Sequence, residues 1–353
     1  MTRMPPTPDG PSLTNDVQAR HRERVAALYA GGGQGLLVAI RGRFYGAAHG
    51  LAGTNSPDML RRPEAWVADV LADLAASEQE LADPDTFRPA AIEMDALGTH
   101  FIDALLGARV MLRGGQYWTE PLAAPPDRLR PPEPSRSRPL QAILRLARVA
   151  TDASRGRGLL VGLPVLSCPI NVAINTYGQE FLLWLLDEPG RARRVLRVVT
   201  DTILLAAREL MAAVPEDLRR TSVVCDRYAP PGYGLIDGCA TQLVSASHYR
   251  DFIAPLDEET LRAYPRGGMI HLCGASAQHV PAWRAMAALR SVQLNDRAAD
   301  DAEAYLAGLR RDQVLYFAPT RNMPARRFLA LAGDRPVVLQ ADYREGADVV
   351  EKP

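Results

Sequence analysis

The sequence predicts an α/β protein, and more specifically a (β/α)₈ barrel that forms one domain with an N-terminal extension. Short apolar segments alternate with longer amphipathic segments along the chain. Several of the apolar segments contain hardly any polar residue, which is typical of parallel strands because helices cover both faces of such a sheet. The alternation repeats about eight times, and 353 residues is a normal length for a single barrel domain.

The predicted strands and helices follow one another in a regular order. We expect strands at 35–41, 89–95, 158–166, 222–227, 268–272, 291–295, 314–318 and 337–341. We expect helices at 16–30, 63–81, 140–153, 179–214, 247–264, 277–289, 300–310 and 324–331. Residues 1–15 are rich in proline and polar side chains, so we expect a flexible N-terminus over 1–20 and a barrel domain over 21–353.

A doubly wound sheet in two domains is the alternative fold. The proline-rich segment 121–139 would then be an interdomain linker, but too few strands precede it to form a domain, so we predict a surface loop. A dinucleotide-binding sheet also needs a glycine-rich loop between a strand and the following helix. The glycines at 31–33 and 35 precede the first predicted strand instead. The barrel is therefore favoured.

Composition excludes several classes of function. Lys+Arg and Asp+Glu both number 41, and no basic cluster alternates with aromatic residues, so we expect no nucleic-acid partner. No apolar run approaches 18 residues, and the N-terminus does not resemble a secretion signal, so we expect a cytoplasmic protein without a membrane partner. The four cysteines form no Cys-x-x-Cys pair, which predicts reduced thiols.

The near absence of lysine excludes further mechanisms. Lys352, close to the C-terminus, is the only lysine in the sequence. Schiff-base aldolases, pyridoxal-phosphate enzymes and P-loop enzymes all need a positioned lysine amine. None of these three chemistries is expected here.

Polar side chains follow every predicted strand, at the end of the barrel where enzymes of this fold carry their sites. Glu93 and Asp226 are candidate catalytic residues, because a carboxylate directly after an apolar run is costly to bury without a partner. Arginines can hold substrate carboxylates, and amides can also bind a ligand. The substrate-binding candidates are Arg41, Arg43, Arg88, Asn171, Arg227 and Asn295. Each residue taken singly could instead cap a helix or form a structural ion pair.

His271 and Cys273 are the most informative pair in the chain. They lie two residues apart at the end of the fifth predicted strand, so their side chains share one face. Imidazole and thiolate are preferred zinc ligands. A buried histidine and cysteine without a ligand are the alternative. A zinc site needs at least one more ligand, for which Cys239, Asp342, Asp226 and Glu93 are candidates.

Several motifs together resemble the uroporphyrinogen decarboxylase superfamily over about 25–342. They are Tyr-Gly-Gln-Glu at 177–180, Leu-Asp-Glu-Pro at 186–189, the segment 245–255 and Ile-His-Leu-Cys-Gly at 270–274. The segments 86–89 and 100–103 are similar to those of uncharacterised bacterial members. The resemblance implies a (β/α)₈ barrel with its ligand over the strand ends. The superfamily contains cofactor-free decarboxylases and zinc methyltransferases that move methyl groups between a corrinoid protein and a thiol.

The resemblance also implies roles for individual residues. The methyltransferase pattern makes His271 and Cys273 zinc ligands. Those methyltransferases have a second cysteine on the last strand, where this chain has Gln-Ala-Asp at 340–342, so Asp342 would substitute for it. In the decarboxylase pattern, Tyr177 together with Glu93 or Asp95 would be catalytic.

Two enzyme hypotheses result. The first is zinc-dependent methyl transfer to a thiol or similar nucleophile, with a small-molecule substrate and a corrinoid partner protein, since the chain has no cobalamin-binding motif of its own. The second is a metal-free decarboxylase, a lyase, whose arginines hold a carboxylate-rich substrate. A binding protein without catalysis is a third class. The sequence leaves a homodimer open.

Overall fold

The computed structural model describes residues 16–31, 37–40, 58–114, 116–221 and 227–340. All strands named here lie within these residues. They are β1 Leu37–Ile40, β2 Thr86–Phe87, β3 Ala91–Glu93, β4 Arg109–Arg113, β5 Gln116–Glu120, β6 Leu160–Leu163, β7 Leu166–Ser167, β8 Arg219–Thr221, β9 Gly234–Asp237, β10 Gly268–Leu272, β11 Leu289–Leu294, β12 Val314–Phe317 and β13 Val337–Gln340.

Helices connect most of these strands, as the amphipathic segments predicted. The α-helices are α1 Asp16–Tyr29, α2 Asp58–Arg61, α3 Pro63–Ala76, α4 Glu78–Leu81, α5 Phe101–Leu105, α6 Arg138–Ser154, α7 Pro169–Tyr177, α8 Gln179–Asp187, α9 Pro189–Ala213, α10 Ala246–His248, α11 Ala254–Arg262, α12 Val280–Ala285, α13 Asp296–Asp300, α14 Ala302–Gly308 and α15 Ala325–Ala332. In the described part of the chain, no helix combines the length and the apolar character that crossing a bilayer requires.

The strands form one large sheet, one small sheet and a hairpin. The large sheet has eight strands in the order β2-β1-β13-β12-β11-β10-β9-β7, and every pairing within it is parallel. The small sheet has the order β3-β6-β8 and is also parallel. Strands β4 and β5 form a separate antiparallel hairpin. The α/β prediction, with a parallel sheet, is confirmed.

The two faces of the large sheet bury different sets of side chains. Ile236, Ile270 and Leu315 point from one face into the core that the helices cover. The alternate residues point from the other face into an inner core, which also holds Ala91 and Leu160 of the small sheet. Residues of this inner core in the large sheet are Val38, Leu235, Met269, Tyr316 and Val338. The side chains of both sheets therefore meet in one inner core.

The inner face changes from apolar to polar along the strand direction. Two residues beyond Leu235, Met269 and Val338, the same face carries Asp237, His271 and Gln340, all of them buried. At the opposite end, α1 closes the inner core, because the Tyr29 hydroxyl donates a hydrogen bond to Ser291 Oγ over 2.8 Å. The polar groups thus collect at the carboxyl ends of the strands.

The structure corrects several predicted boundaries. Strand β8, Arg219–Thr221, directly precedes the strand predicted at 222–227, of which 222–226 lie outside the described residues. Strand β9 was not predicted, because Leu235 and Ile236 are its only apolar residues and the turn-forming Pro-Pro-Gly sequence at 230–232 lies just before it. The helix predicted at 179–214 is two helices, α8 and α9, since Pro189 cannot continue a helix.

Two further elements differ from the prediction. The helix predicted at 277–289 ends at Ala285, and Leu289 already begins β11. The hairpin β4–β5 was missed, although the Gly-Gly pair at 114–115 is typical of a two-residue turn between strands. Helix α1, by contrast, confirms the helix predicted at 16–30, and Gln18 within it is buried.

Candidate metal centre

Cys239, His271 and Cys273 form a compact group at the carboxyl ends of β9 and β10. One ligand atom of each residue, a sulfur or an imidazole nitrogen, lies within 4.8 Å of the other two. His271 lies on β10 and Cys273 follows the last residue of that strand, while Cys239 begins a 3₁₀ helix after β9. The parallel pairing of β9 with β10 sets His271 beside Asp237, which brings Cys239 to the same strand end.

The group fits the requirements of a zinc ion. A tetrahedral site with bonds of 2.0–2.3 Å separates its ligand atoms by about 3.3–3.8 Å, so the side chains need only small inward movements. Two cysteines and one histidine are a known ligand set of catalytic zinc, with a fourth position left for water or substrate. The prediction that the ligand atoms of His271 and Cys273 lie close together is confirmed, and the sulfur of Cys239 lies beside them.

Gln293 orients the imidazole of His271. The two residues are register partners on β10 and β11, and His271 Nδ1 donates a hydrogen bond to Gln293 Oε1 over 2.7 Å. This bond leaves the lone pair of Nε2 for a metal ion. Burial holds the pKa of His271 well below its usual range, and nearby Arg227 lowers the pKa further. His271 is therefore neutral, as a metal ligand must be.

The two cysteines share a hydrogen bond and differ in acidity. Their hydrogen bond lowers the pKa of the Cys273 thiol, because the bond stabilises its thiolate. The same bond, together with burial, raises the pKa of Cys239 well above its usual range. Without a metal, the pair is thus arranged as a thiol beside a more acidic thiol. Both protons must leave when two thiolates bind a cation.

Hydrogen bonds from other elements hold the 3₁₀ helix that carries Cys239. Asn171 Oδ1 accepts a hydrogen bond from the backbone N–H of Ala240 over 2.8 Å. On the next residue, the carbonyl oxygen of Thr241 lies 2.9 Å from His279 Nε2, which can donate to it. Asn171 thus fixes the helix that carries Cys239, and the substrate-binding role predicted for it stays a prediction.

A buried ion pair lies beside the metal centre. The Arg227 guanidinium donates a hydrogen bond to Asp237 Oδ1 over 3.1 Å, and both side chains are buried. Asp95 lies within electrostatic reach of both residues, and burial raises the pKa of Asp95 to about 6. Arg227 was predicted as a substrate-binding residue, and its observed partner is this aspartate of the protein itself.

Two other predicted residues lie near the same strand ends. Asn295 follows β11, one position beyond the pairing of Leu272 with Leu294, and therefore stands beside Cys273. It is buried, and its Oδ1 has no hydrogen-bond partner among the described residues. Glu93 ends β3 and lies across Gly162, where a Cβ atom would collide with its carboxylate.

The remaining predicted residues lie elsewhere or outside the described part. Tyr177 ends α7, whose first residue follows Cys168, so it stands about 12 Å along the helix from the strand end. Its ring packs against Trp184, with 5.2 Å between centroids. Arg88 is half-buried just after the edge strand β2. Arg41, Arg43, Asp226 and Asp342 lie outside the described residues, and the roles predicted for all six residues stay predictions.

No role was predicted for Asp237 or Gln293. A signal for both was present, because each is a polar residue inside or at the end of an apolar strand segment. Their functions depend on which strands are neighbours, since Asp237 and Gln293 flank His271 from β9 and β11.

Comparison with known proteins shows a likeness in structure. No protein-family model matches the chain, and no curated protein matches it. The structure is similar to that of a methyltransferase from Methanosarcina mazei, with a TM-score of 0.62 and 14% sequence identity. The match covers 90% of this chain and 92% of the other. At this identity, the likeness establishes a shared fold.

Proposed function

We propose that this protein is a zinc-dependent methyltransferase of the uroporphyrinogen decarboxylase superfamily that transfers a methyl group to a thiol or similar nucleophile. The observation that carries the proposal is the convergence of Cys239, His271 and Cys273. The likeness in fold to a methyltransferase along 90% of the chain supports the same class of reaction.

The proposal includes closure of the two parallel sheets into one (β/α)₈-type barrel, with the barrel domain at 21–353. Both edges of the large sheet continue along the chain into the small sheet. Edge strand β2 precedes β3 by a few residues, and edge strand β7 follows β6 in the same way. The shared inner core of the two sheets supports this closure.

The protein's own residues would prepare the site for the metal and the nucleophile. Bound zinc would lower the pKa of a thiol in the fourth position and so supply a thiolate at neutral pH. Gln293 fixes the ring of His271, and the ion pair of Arg227 with Asp237 supports the strand end beside it. Asn295, whose buried Oδ1 faces no described partner, would bind a polar group of the substrate.

We further propose that the methyl donor is a corrinoid carried by a partner protein and that the acceptor is a small molecule. The superfamily resemblance of the 270–274 motif is the support for this partner. A metal-free decarboxylase is less well supported, because the guanidinium of Arg227 already pairs with Asp237 and so is not directed at a substrate carboxylate.

Metal analysis of the purified protein tests the proposal. We expect close to one zinc ion per chain, loss of zinc in His271→Ala and Cys273→Ala, and loss of methyl transfer from free methylcobalamin to 2-mercaptoethanol after chelation. His248→Ala is the matched control, because this histidine, which contacts Ser245, lies outside the ligand group and its loss should leave zinc bound. Absence of zinc from all preparations, or release of CO₂ from acidic substrates that chelators do not inhibit, would reject the proposal.

A further inference from the structure

A histidine outside the metal group lies at the same end of the sheets. His100 ends the 3₁₀ helix Gly98–His100, which follows β3. The hydroxyl of Ser167 donates a hydrogen bond to the carbonyl oxygen of Thr99 over 2.9 Å and so anchors this helix. Ser167 is the register partner of Asp237, and Asp237 is the register partner of His271. The anchor of the His100 helix is therefore two strands from His271, about 10 Å away.

His100 forms a dyad with a buried carboxylate. Its Nδ1 donates a hydrogen bond to Asp103 Oδ2 over 2.7 Å. Thr119 Oγ1 and Asn175 Nδ2 donate to the same oxygen over 2.8 and 2.9 Å. Asp103 is fully buried, and its Oδ1 has no hydrogen-bond partner among the described residues. The carboxylate thus holds the proton on Nδ1 and leaves the lone pair of Nε2 available.

The β4–β5 hairpin links this dyad to the metal centre. Tyr117 and Thr119 lie on one face of β5, while Trp118 between them is 55% exposed on the other face. Thr119 contacts the dyad, and burial together with the charge of nearby Asp95 raises the pKa of Tyr117. Asp95 in turn interacts with the ion pair beside Cys239. One face of the hairpin therefore contacts the dyad through Thr119 and lies within electrostatic reach of Asp95 through Tyr117.

The charge balance of the dyad favours proton transfer over anion binding. The charged groups of the dyad are one imidazole and one carboxylate, and the contacting Thr119 and Asn175 are neutral. When the imidazole is protonated, the dyad is neutral overall and would hold an anion weakly. A neutral imidazole beside a fixed carboxylate is, by contrast, the usual arrangement of a general base. The side chain of His100 is 17% exposed, so a ligand can reach it.

We propose that His100, oriented by Asp103, is the general base that accepts the proton of the nucleophile in the proposed methyl transfer. The S–H bond of the acceptor thiol breaks, its electron pair stays on sulfur, and the proton forms an N–H bond at His100 Nε2. The Asp103 carboxylate balances the resulting imidazolium. The transfer requires the thiol sulfur to lie within hydrogen-bond reach of His100 Nε2, either directly or through one water molecule. This inference rests on the proposed function.

Proton counting tests the inference without relying on turnover. Calorimetric titration of the zinc-loaded protein with 2-mercaptoethanol, in buffers of different ionisation enthalpy, gives the number of protons released per thiol bound. His100→Gln should release up to about one proton more per thiol bound than the wild type, because the proton no longer stays on the protein. Asp103→Asn should show the same change, reduced in size.

His248→Ala is the matched control, because this histidine contacts Ser245 at the surface and should leave the proton count unchanged. The pH profile of methyl transfer should also lose one ionisation in His100→Gln. His100→Ala checks that the glutamine itself does not replace the base. Equal proton release by the wild type and both His100 variants overturns the inference while leaving the methyltransferase proposal intact. Failure of the zinc-loaded wild type to bind the thiol rejects the proposed function, and the inference falls with it.

Discussion

Replacing Gln293 with leucine should weaken metal binding without touching a ligand. The substitution keeps the approximate volume but removes the oxygen that accepts the Nδ1–H of His271. That N–H is buried, so its loss of a partner costs about 1–3 kcal/mol. The ring also loses the contact that directs Nε2 towards Cys239 and Cys273. Outer-shell substitutions of this kind typically lower metal affinity about 10–100-fold.

Competition with a chromophoric chelator at fixed pH measures this affinity directly. Gln313→Leu is the matched control, because Gln313 is also a fully buried glutamine, but its amide bonds to the carbonyl oxygens of Trp283 and Leu289. The control should lose folding stability and keep its zinc affinity. A Gln293→Leu variant that binds zinc as tightly as the wild type would show that Gln293 does not orient the ligand.

Three further substitutions have expected outcomes. Arg227→Met leaves the buried carboxylate of Asp237 unpaired and should lower the free energy of unfolding in urea by about 3–5 kcal/mol. Burial raises the pKa of Asp257 to about 7, so wild-type stability should fall by a few kcal/mol as pH rises from about 4 to 7. In Asp257→Asn, the free energy of unfolding should depend less steeply on pH. Equal slopes for the variant and the wild type would contradict this expectation. Gly162→Ala should displace Glu93, because the new Cβ collides with the carboxylate of Glu93, and should lower the free energy of unfolding by about 1–3 kcal/mol and with it the melting temperature. An unchanged melting temperature would contradict the last expectation.

The part of the site that follows from geometry within one strand could be predicted from sequence. His271 and Cys273 are two residues apart, and alternation along a strand fixes which side chains share a face. Cys239 was only one of four candidates for the third ligand, because its position next to His271 depends on the pairing of β9 with β10. Gln293 and Asp237 were missed for the same reason. Pairing between strands is a tertiary property that a single sequence does not specify.

The same division holds for the fold. The buried runs at β10, β12 and β13 are apolar on both faces and were found close to their observed bounds. Strand β9 was missed because it has only two apolar residues, Leu235 and Ile236, between a glycine and an aspartate and so forms no apolar run. The break between α8 and α9 was missed because apolar periodicity continues across Pro189, although proline cannot occupy a helix interior.

The strands that hold the candidate ligands are anchored independently of any metal. Met269 and Leu235 precede His271 and Asp237 by two positions on the same face, and both are packed in the inner core. Their packing fixes where the polar side chains project. Because His271 stands on a paired, buried strand and the two cysteines follow the ends of such strands, the site is preorganised and a cation would meet side chains already within 4.8 Å of one another. Because the site needs little folding when a metal ion binds, little of the binding free energy is lost to ordering the chain, and the metal is bound more tightly.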